Sequence, residues 1–260
     1  MSNSGPTPLW SVPSKTWSDD VATLTPRPAV WYVQAFANRI AIGRVDMHLL
    51  VLGTHNRKKG QELARLLAPF GFELKTLADV PSPLKVEETG ETYVENAALK
   101  AVEQARHLHA WVLGEDSGLS VDALGGRPGI FSARFAGPDA TDEMNNVRLL
   151  EELANVPYSK RTAHYVCHVT LSDPCGEVRA NWQSTCAGRI RHSPVGAGGF
   201  GYDPLFEIAE YHRTFAELGA NVKSVLSHRA RAMRRLIPQM VQIARDGHWA
   251  PTTSNPVVGA

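Results

Sequence analysis

The spacing of apolar residues changes from a helical to a strand period part-way along the chain, and this change constrains the fold most. Before it, apolar residues recur three or four positions apart, which predicts amphipathic helices. The helical sets are Leu63, Leu66, Leu67 and Phe70, and then Val147, Leu150 and Leu153. From Ala163 to Leu171 every second residue is apolar, which predicts a half-buried strand. After a turn at 173–176, a second strand is predicted from about Val178 to Cys186, which would complete an antiparallel hairpin.

His164 and His168 lie on the first strand of this hairpin, and histidine is a common metal ligand. Four residues of a strand span roughly 13 Å, which is too far for one ion. We therefore interpret them as ordinary exposed or packed histidines.

An earlier segment combines a short strand, a polar turn and a helix. The apolar run 49–52 leads into Gly53–Asn56, and Gly71 is expected to end the helix that follows. The first amides of a helix lack intrahelical partners and carry partial positive charge, so this turn could bind an anion. Lys58 and Lys59 would add charge, although the GxxxxGK[ST] spacing of a Walker A loop is absent. A plain strand-to-helix connection is the alternative.

Acidic residues flank the next predicted helix and strand. Glu87 and Glu88 precede a helix that follows Thr89–Gly90, and its predicted apolar stripe is Val94, Ala97, Ala98, Ala101, Val102 and Ala105. On this helix Asn96 and Lys100 are four positions apart, so they would share one face that either reaches a ligand or is merely solvated.

The strand predicted at 111–114 runs into Glu115-Asp116-Ser117-Gly118. Carboxylates at a strand end beside a glycine-containing turn are typical of sites for a divalent ion and its attacking water. Capping and turn formation are the alternative explanation.

Three glycines surround Phe200 in the segment Gly198–Pro204, which also contains Tyr202 and the carboxylate of Asp203. Glycine lets a flat ligand approach the backbone, and Phe200 offers a face on which a base could stack. A surface turn is the alternative. Further on, Ser227 is expected to cap a helix that begins with His228-Arg229, where the helix dipole disfavours cations. A bound anion would relieve that conflict.

Composition excludes several classes of protein. The 260 residues include 27 Lys and Arg against 26 Asp and Glu, so no overall field favours a nucleic acid or an anionic membrane as partner. No segment approaches the roughly 20 apolar residues of a membrane span. Three cysteines without a CxxC pair fit a reducing cytoplasm. Residues 1–46 are predicted to be a disordered or loosely attached leader, Met47 to start the functional domain at 47–246, and residues 247–260 to form a flexible tail.

Six blocks of this sequence, in order, resemble the inosine triphosphate pyrophosphatase family. They are Thr54–Lys59, Glu87–Ala97, Glu115–Leu119, Gly125–Arg134, Gly198–Pro204 and Ser227–Arg229. The resemblance extends over about His48 to Met240. Members of this family hydrolyse deaminated purine triphosphates such as ITP, dITP and XTP.

The resemblance implies an elongated α/β fold with two lobes around a central mixed sheet and a nucleotide cleft between them, usually in a homodimer. It also implies that water and a nucleoside triphosphate give the monophosphate and pyrophosphate, with Mg²⁺ as cofactor. Rejection of adenine would rest on donors that meet the 6-oxo group of the base.

The family's functional residues carry over by position. Asp116 would be the proton acceptor and, with Glu88, would hold Mg²⁺, with Glu87 as a further candidate ligand. The implied substrate contacts are Thr54, His55, Asn56, Arg57, Lys58, Lys59, Lys100, Ser117, Phe200, Gly201, Tyr202, Asp203, Lys223, His228 and Arg229. Many relatives have two aspartates where this chain has Glu115-Asp116, so the role of Glu115 stays open.

Two other functions remain open at this stage. One is a Maf-like pyrophosphatase that prefers modified pyrimidines, which the loop 198–204 and the Ser-His-Arg block oppose. The other is a catalytically silent nucleotide-binding or sensor module, which the presence of Glu88, Asp116 and Lys59 opposes.

Overall fold

The computed structural model describes residues 48–249. The predicted leader 1–46 and the predicted start at Met47 lie outside this range. The strands are β1 (His48–Gly53), β2 (Phe72–Thr76), β3 (Val112–Val121), β4 (Thr162–Ser172), β5 (Val178–Ile190), β6 (Phe206–Ile208) and β7 (Arg213–Thr214). The α-helices are α1 (Arg57–Leu67), α2 (Tyr93–Leu108), α3 (Asp142–Glu152), α4 (Phe215–Leu226) and α5 (His228–Arg245).

The seven described strands form one mixed sheet in the order β2-β1-β3-β4-β5-β6-β7. β1 is parallel to both β2 and β3, whereas β3 to β7 are successively antiparallel. The predicted hairpin is β4 and β5. Its second strand continues to Ile190, beyond the predicted end at Cys186, because Arg189 and Ile190 also pair with β6. The expectation of an α/β fold with a central mixed sheet is confirmed.

Strand β3 is longer than predicted, and this changes the setting of the acidic pair. β1 pairs only with Val112–Gly114, but β4 pairs with β3 along its full length. Glu115 and Asp116 therefore lie inside a strand, and the predicted strand end at these residues is wrong. Gly118 suggested a turn, but its role is close packing, since a Cβ there would lie 2.2 Å from the carbonyl oxygen of Gly129.

Two large apolar cores lie on one face of the sheet, and a smaller third core, with Val51 and Val112 among its buried members, lies between the sheet and α2. The first core joins α1 and α5 to the sheet, with Leu63 and Met233 among its buried members. The second core joins α3 to the far ends of β3, β4 and β5, with Leu149 and Phe206 among its buried members. Two cores on one sheet give the two lobes that were expected.

Helix α2 covers the opposite face of the sheet from α1 and α5. Thr92 begins it with a capping box, accepting a hydrogen bond from the Glu95 amide. Gly114 allows the close approach, because a Cβ there would lie 2.3 Å from the carbonyl oxygen of Ala97. Val94 is 45% exposed, so its place in the predicted apolar stripe is wrong. It lies in the first turn, on the side of α2 that faces away from the sheet.

The chain remains packed beyond the predicted domain boundary at 246. Trp249 is buried, stacks on Trp111 with ring centroids 4.2 Å apart, and donates a hydrogen bond to the Leu49 carbonyl. The predicted tail therefore begins at least three residues too early, and residues 250–260 lie outside the described range.

Among the helices of residues 48–249, none combines the length and the apolar character needed to cross a bilayer.

Candidate active site

A pocket of about 90 Å³ opens between the first and second cores. Its lining comes from the start of α1, the middle of β3, the glycine loop and the start of α5. The predicted residues that line it are Asn56, Lys59, Ser117, Phe200, Gly201, Tyr202, Asp203, Lys223, His228 and Arg229. The fold thus brings distant sequence blocks to one cavity.

The polar turn before α1 is held by its own side chains. The Asn56 carboxamide oxygen accepts a hydrogen bond from the Lys59 amide at 3.1 Å, and the Thr54 hydroxyl accepts one from the Asn56 amide at 3.2 Å. His55 lies 2.9 Å from the Leu84 carbonyl, away from the pocket lining. Arg57 is exposed at the first position of the helix. Of the six residues predicted here, Asn56 and Lys59 therefore line the cavity.

Lys58 reaches across the cleft mouth to the other lobe. Its ammonium group lies 2.9 Å from the carboxylate of Asp142, the first residue of α3. Both side chains are largely solvated, with 58% of Lys58 and 38% of Asp142 exposed, so solvent screens this pair.

Glu115 is buried on the pocket-side face of β3, where two cations meet its carboxylate oxygens. Its Oε1 accepts a hydrogen bond from Arg229 Nη2 at 2.9 Å, and its Oε2 lies 3.1 Å from Lys59 Nζ. Burial raises the pKa of the Glu115 carboxyl, but the charges of Arg229, Lys59 and Lys100, with a hydrogen bond from Ser117, hold it well below its usual range. Glu115 is therefore an anion that neutralises two predicted substrate-binding cations.

Asp116 points to the other face of β3, toward α2. Its Oδ1 accepts a hydrogen bond from Lys100 Nζ at 2.9 Å, and the same ammonium lies 3.3 Å from the Glu88 carboxylate. Asp116 Oδ2 is buried and has no hydrogen-bond partner within residues 48–249. Burial raises the pKa of Asp116 despite the opposing charge of Lys100. Lys100 thus brings together Asp116 and Glu88 on this face.

Other predictions for this face are less directly supported by contacts. Asn96 is buried, and its carboxamide is hydrogen-bonded to the backbone of Gly90, so it secures the segment before α2 instead of reaching a ligand. Glu87 is exposed beside Glu88. Within residues 48–249, no cluster of three or more His, Cys, Asp or Glu side chains is arranged around a common point.

The glycine loop is shaped by the buried carboxylate of Asp203. Its Oδ2 accepts hydrogen bonds from the Phe200 amide at 2.8 Å and from Lys223 Nζ at 2.5 Å. Gly199 has φ 74°, and a Cβ at this position would lie 2.0 Å from the same Oδ2. Tyr202 is also buried and donates a hydrogen bond to the Ser132 carbonyl at 2.8 Å. Asp203 and Tyr202 therefore fix the loop that presents Phe200.

The Phe200 ring has cations around it. Lys223 Nζ lies 4.2 Å from the ring centroid, Lys58 Nζ 5.7 Å and the Arg229 guanidinium carbon 6.0 Å. These distances fit cation–π contacts, so the ring and the predicted base-reading cations form one group.

His228 is a neutral side chain at the base of the pocket. Its ring stacks on Tyr165 with centroids 4.6 Å apart and planes 11° apart. Burial, with the nearby charges of Arg229 and Lys223, lowers the pKa of His228 well below its ordinary value. Its Nδ1 has no hydrogen-bond partner in the described part of the chain. Ser227 caps α5 as predicted, its hydroxyl accepting from the Ala230 amide at 3.2 Å.

Known proteins resemble this chain in sequence. A sequence model of the Ham1 family matches residues 50–239. This chain belongs to the Ham1 family. It is 53% identical over 197 residues to the dITP/XTP pyrophosphatase of Rhodopirellula baltica, an alignment that covers 76% of this chain and 95% of the relative. It is 48% identical over 192 residues to the dITP/XTP pyrophosphatase of Exiguobacterium sp., covering 74% and 96% respectively.

Solved structures give the same answer for this Ham1 chain. A HAM1 protein from Coxiella burnetii superposes with a TM-score of 0.66 at 34% identity, covering 77% of this chain and all 100% of that protein. The Ham1 protein of Staphylococcus aureus gives a TM-score of 0.65 at 34% identity, covering 77% and 99%.

Sequence reasoning missed several residues of this Ham1 site. Glu62 on α1 contacts both Lys223 and Arg229, and Asp142 contacts Lys58. Arg229 at the start of α5 therefore meets protein carboxylates, Glu62 and Glu115, where the sequence suggested a bound anion. The available signal was slight, since Glu62 stands next to the buried Leu63 on an amphipathic helix and is only 22% exposed in its side chain.

Proposed function

We propose that this chain hydrolyses the deaminated purine nucleoside triphosphates dITP, XTP and ITP to the monophosphate and pyrophosphate. The observation that carries the proposal is the unpartnered, buried oxygen of Asp116, held beside Lys100 at the strand that also lines a pocket of cations around an aromatic ring. The names of the relatives from Rhodopirellula baltica and Exiguobacterium sp., both dITP/XTP pyrophosphatases, support dITP and XTP as substrates.

The start of α1 and Lys59 bind the triphosphate. Free amides at a helix N-terminus attract anions, and Lys59 lines the pocket within 3.1 Å of Glu115, so its ammonium is already oriented. Lys58 is exposed at the cleft mouth and can exchange Asp142 for a phosphate oxygen at little cost.

Glu88 and Asp116 are the residues that would hold Mg²⁺. Magnesium in nucleotide sites typically uses one or two protein carboxylates together with phosphate oxygens and water, so a pair of carboxylates fits it without a third protein ligand. The buried Asp116 Oδ2 without a partner also fits a cation ligand. When bound, the ion would offset the negative charge of the triphosphate.

Asp116 acts as the proton acceptor. Release of pyrophosphate means that water attacks the α-phosphorus and that the bond to the β-phosphate bridging oxygen breaks. Asp116 takes the proton from that water, for which its buried Oδ2 has no competing hydrogen bond among the described residues. The leaving pyrophosphate is met by the cations at the start of α1.

Base selection falls to the pocket around Phe200. The ring stacks on the purine, and donors from Lys223 and His228 favour the 6-oxo acceptor over the amino group of adenine. A buried donor left unpaired by the wrong base costs about 1–3 kcal/mol. We further propose that the protein acts as a homodimer in the cytoplasm.

Two competing functions predict different chemistry. A silent nucleotide sensor would have no need for the Glu88–Lys100–Asp116 group, and a Maf-like pyrophosphatase would prefer modified pyrimidines. The test is pyrophosphate release from ITP, XTP, dITP, GTP, ATP and dTTP with Mg²⁺ and after chelation with EDTA. We expect turnover of the first three, and its loss with EDTA. Turnover of dTTP alone, or of nothing, would contradict the proposal.

A further inference from the structure

An unbroken series of ion pairs connects the base loop to strand β3. It begins at Asp203, which binds Lys223 at 2.5 Å, and Lys223 lies 2.9 Å from Glu62 Oε1. Glu62 Oε2 binds Arg229, Arg229 binds Glu115 at 2.9 Å, and Glu115 lies 3.1 Å from Lys59. Three carboxylates thus alternate with three cations from one side of the cleft to the other. We call this series the charge chain.

Glu62 is the middle one of the three carboxylates in the charge chain and the most exposed of them. Its two oxygens bind two different cations, whereas Lys223 and Arg229 each retain another carboxylate, Asp203 and Glu115 respectively. Removing the charge of Glu62 would therefore separate the chain into two halves without leaving either cation unpaired.

Glu62 lies behind these cations and not in the pocket. Lys223 and Arg229 line the candidate active-site pocket, but Glu62 does not. Glu62 and Lys223 instead line a neighbouring cavity of about 50 Å³. A carboxylate in this position can orient the two cations while making no contact of its own with a base.

The orientation of these cations matters at both ends of the cleft. Lys223 lies against the Phe200 ring, where the base is proposed to bind. Arg229 holds Glu115, which in turn fixes Lys59 beside the triphosphate site. A base that displaces Lys223 would therefore disturb, through Glu62, the groups that hold the phosphates.

We propose that Glu62 is a positioning residue that couples recognition of the base to alignment of the triphosphate. This inference rests on the proposed function. A mismatched purine should therefore lower kcat as well as weaken binding. The wrong base displaces Lys223, and the resulting shift of Glu62 moves Arg229, which holds Glu115 and, through it, Lys59.

The test uses the full-length chain with Glu62→Gln, Glu62→Asp and a matched control, Glu73→Gln, which removes one exposed carboxylate on β2. For each variant, kcat and KM are measured for ITP and ATP, and the Kd values of IMP and AMP are measured by calorimetry. Thermal melting checks that each variant is folded.

We expect Glu62→Gln to reduce the ITP-to-ATP preference in kcat about tenfold, the size of one lost charged hydrogen bond. Glu62→Asp should recover part of the preference because it keeps the charge, and Glu73→Gln should match the wild type. A general loss of stability would lower kcat for ITP and for ATP alike and would leave the ratio of the two kcat values unchanged.

An unchanged ITP-to-ATP ratio of kcat in folded Glu62→Gln would overturn the coupling while leaving the proposed function intact. The coupling would also be overturned if Glu62→Gln changed the relative KM values for ITP and ATP and the relative Kd values of IMP and AMP, but left the kcat ratio unchanged. That result would assign Glu62 to binding alone. If the wild type hydrolyses neither nucleotide, the proposed function fails and the coupling with it.

Discussion

Adjacent carboxylates on β3 occupy two very different environments. Glu115 faces the pocket side, where Arg229 and Lys59 engage both of its oxygens. Asp116 faces α2, where Lys100 engages one oxygen and the other is buried without a partner among the described residues. Each Glu115 oxygen thus has a cation within 3.1 Å, although Oε2 accepts no hydrogen bond among the described residues. On Asp116 the nearby cation, Lys100, is at Oδ1, so Oδ2 remains available to bind a ligand or a proton.

Strand geometry causes this division. Successive side chains of a strand point to opposite faces, so one residue step transfers a carboxylate from the α1 and α5 side to the α2 side. Because β1 pairs with β3 only as far as Gly114, the acidic pair starts where that neighbour ends. The turn after β1 therefore lies beside both carboxylates.

The largest expected effect is on turnover in Asp116→Asn. Removing this carboxylate takes away the proposed proton acceptor, so kcat for ITP should fall about 10³-fold. Affinity for IMP should change little, because the pocket on the other face is untouched. Steady-state kinetics and calorimetry check both statements, and near-normal kcat in the folded variant would refute the role of Asp116.

A smaller effect is expected at the aromatic ring of the pocket. Phe200→Ala should weaken binding of IMP and AMP alike by about 1–3 kcal/mol, because stacking recognises the face of a base. His228→Ala is the matched comparison, since it removes a ring that is proposed to meet the polar edge. It should reduce the preference for IMP over AMP.

Calorimetry on both variants decides between these roles. If Phe200→Ala altered the preference and His228→Ala left it unchanged, the assignment of face and edge within the pocket would be reversed.

The smallest expected effect concerns the exposed pair at the cleft mouth. Asp142→Asn should change the free energy of unfolding by no more than about 0.5 kcal/mol, because solvent screens its pairing with Lys58. Urea denaturation measures this. A loss of several kcal/mol would mean that the Lys58–Asp142 pair is needed to hold the two lobes together. This exposed pair would then contribute as much to stability as the buried ones.

The sequence allowed much of this architecture to be predicted. Apolar spacing placed α1, α3 and the β4–β5 hairpin, and capping chemistry placed Ser227 at the start of α5. These features depend on local pattern, which a single sequence contains. Residue types and family order also pointed to the glycine loop and to Lys59, Lys223 and Arg229, which the structure brings to one pocket.

Features that depend on pairing between distant segments were not predictable. The continuation of β3 through Glu115 and Asp116 depends on β4, whose partner residues are some fifty positions away. Glu62 gained its role only when α1, α4 and α5 came together. The packed position of Trp249 likewise depends on Trp111 and Phe72.

Urea unfolding of Glu115→Gln beside Asp116→Asn tests the separation of the two carboxylates most directly. Glu115→Gln should lose about 3 kcal/mol, because it leaves Lys59 without its carboxylate and Arg229 with one fewer. Asp116→Asn should remain within about 1 kcal/mol of the wild type, because burial of its charge is already unfavourable and Lys100 keeps Glu88. Equal losses in the two variants, or a larger loss in Asp116→Asn, would contradict the account.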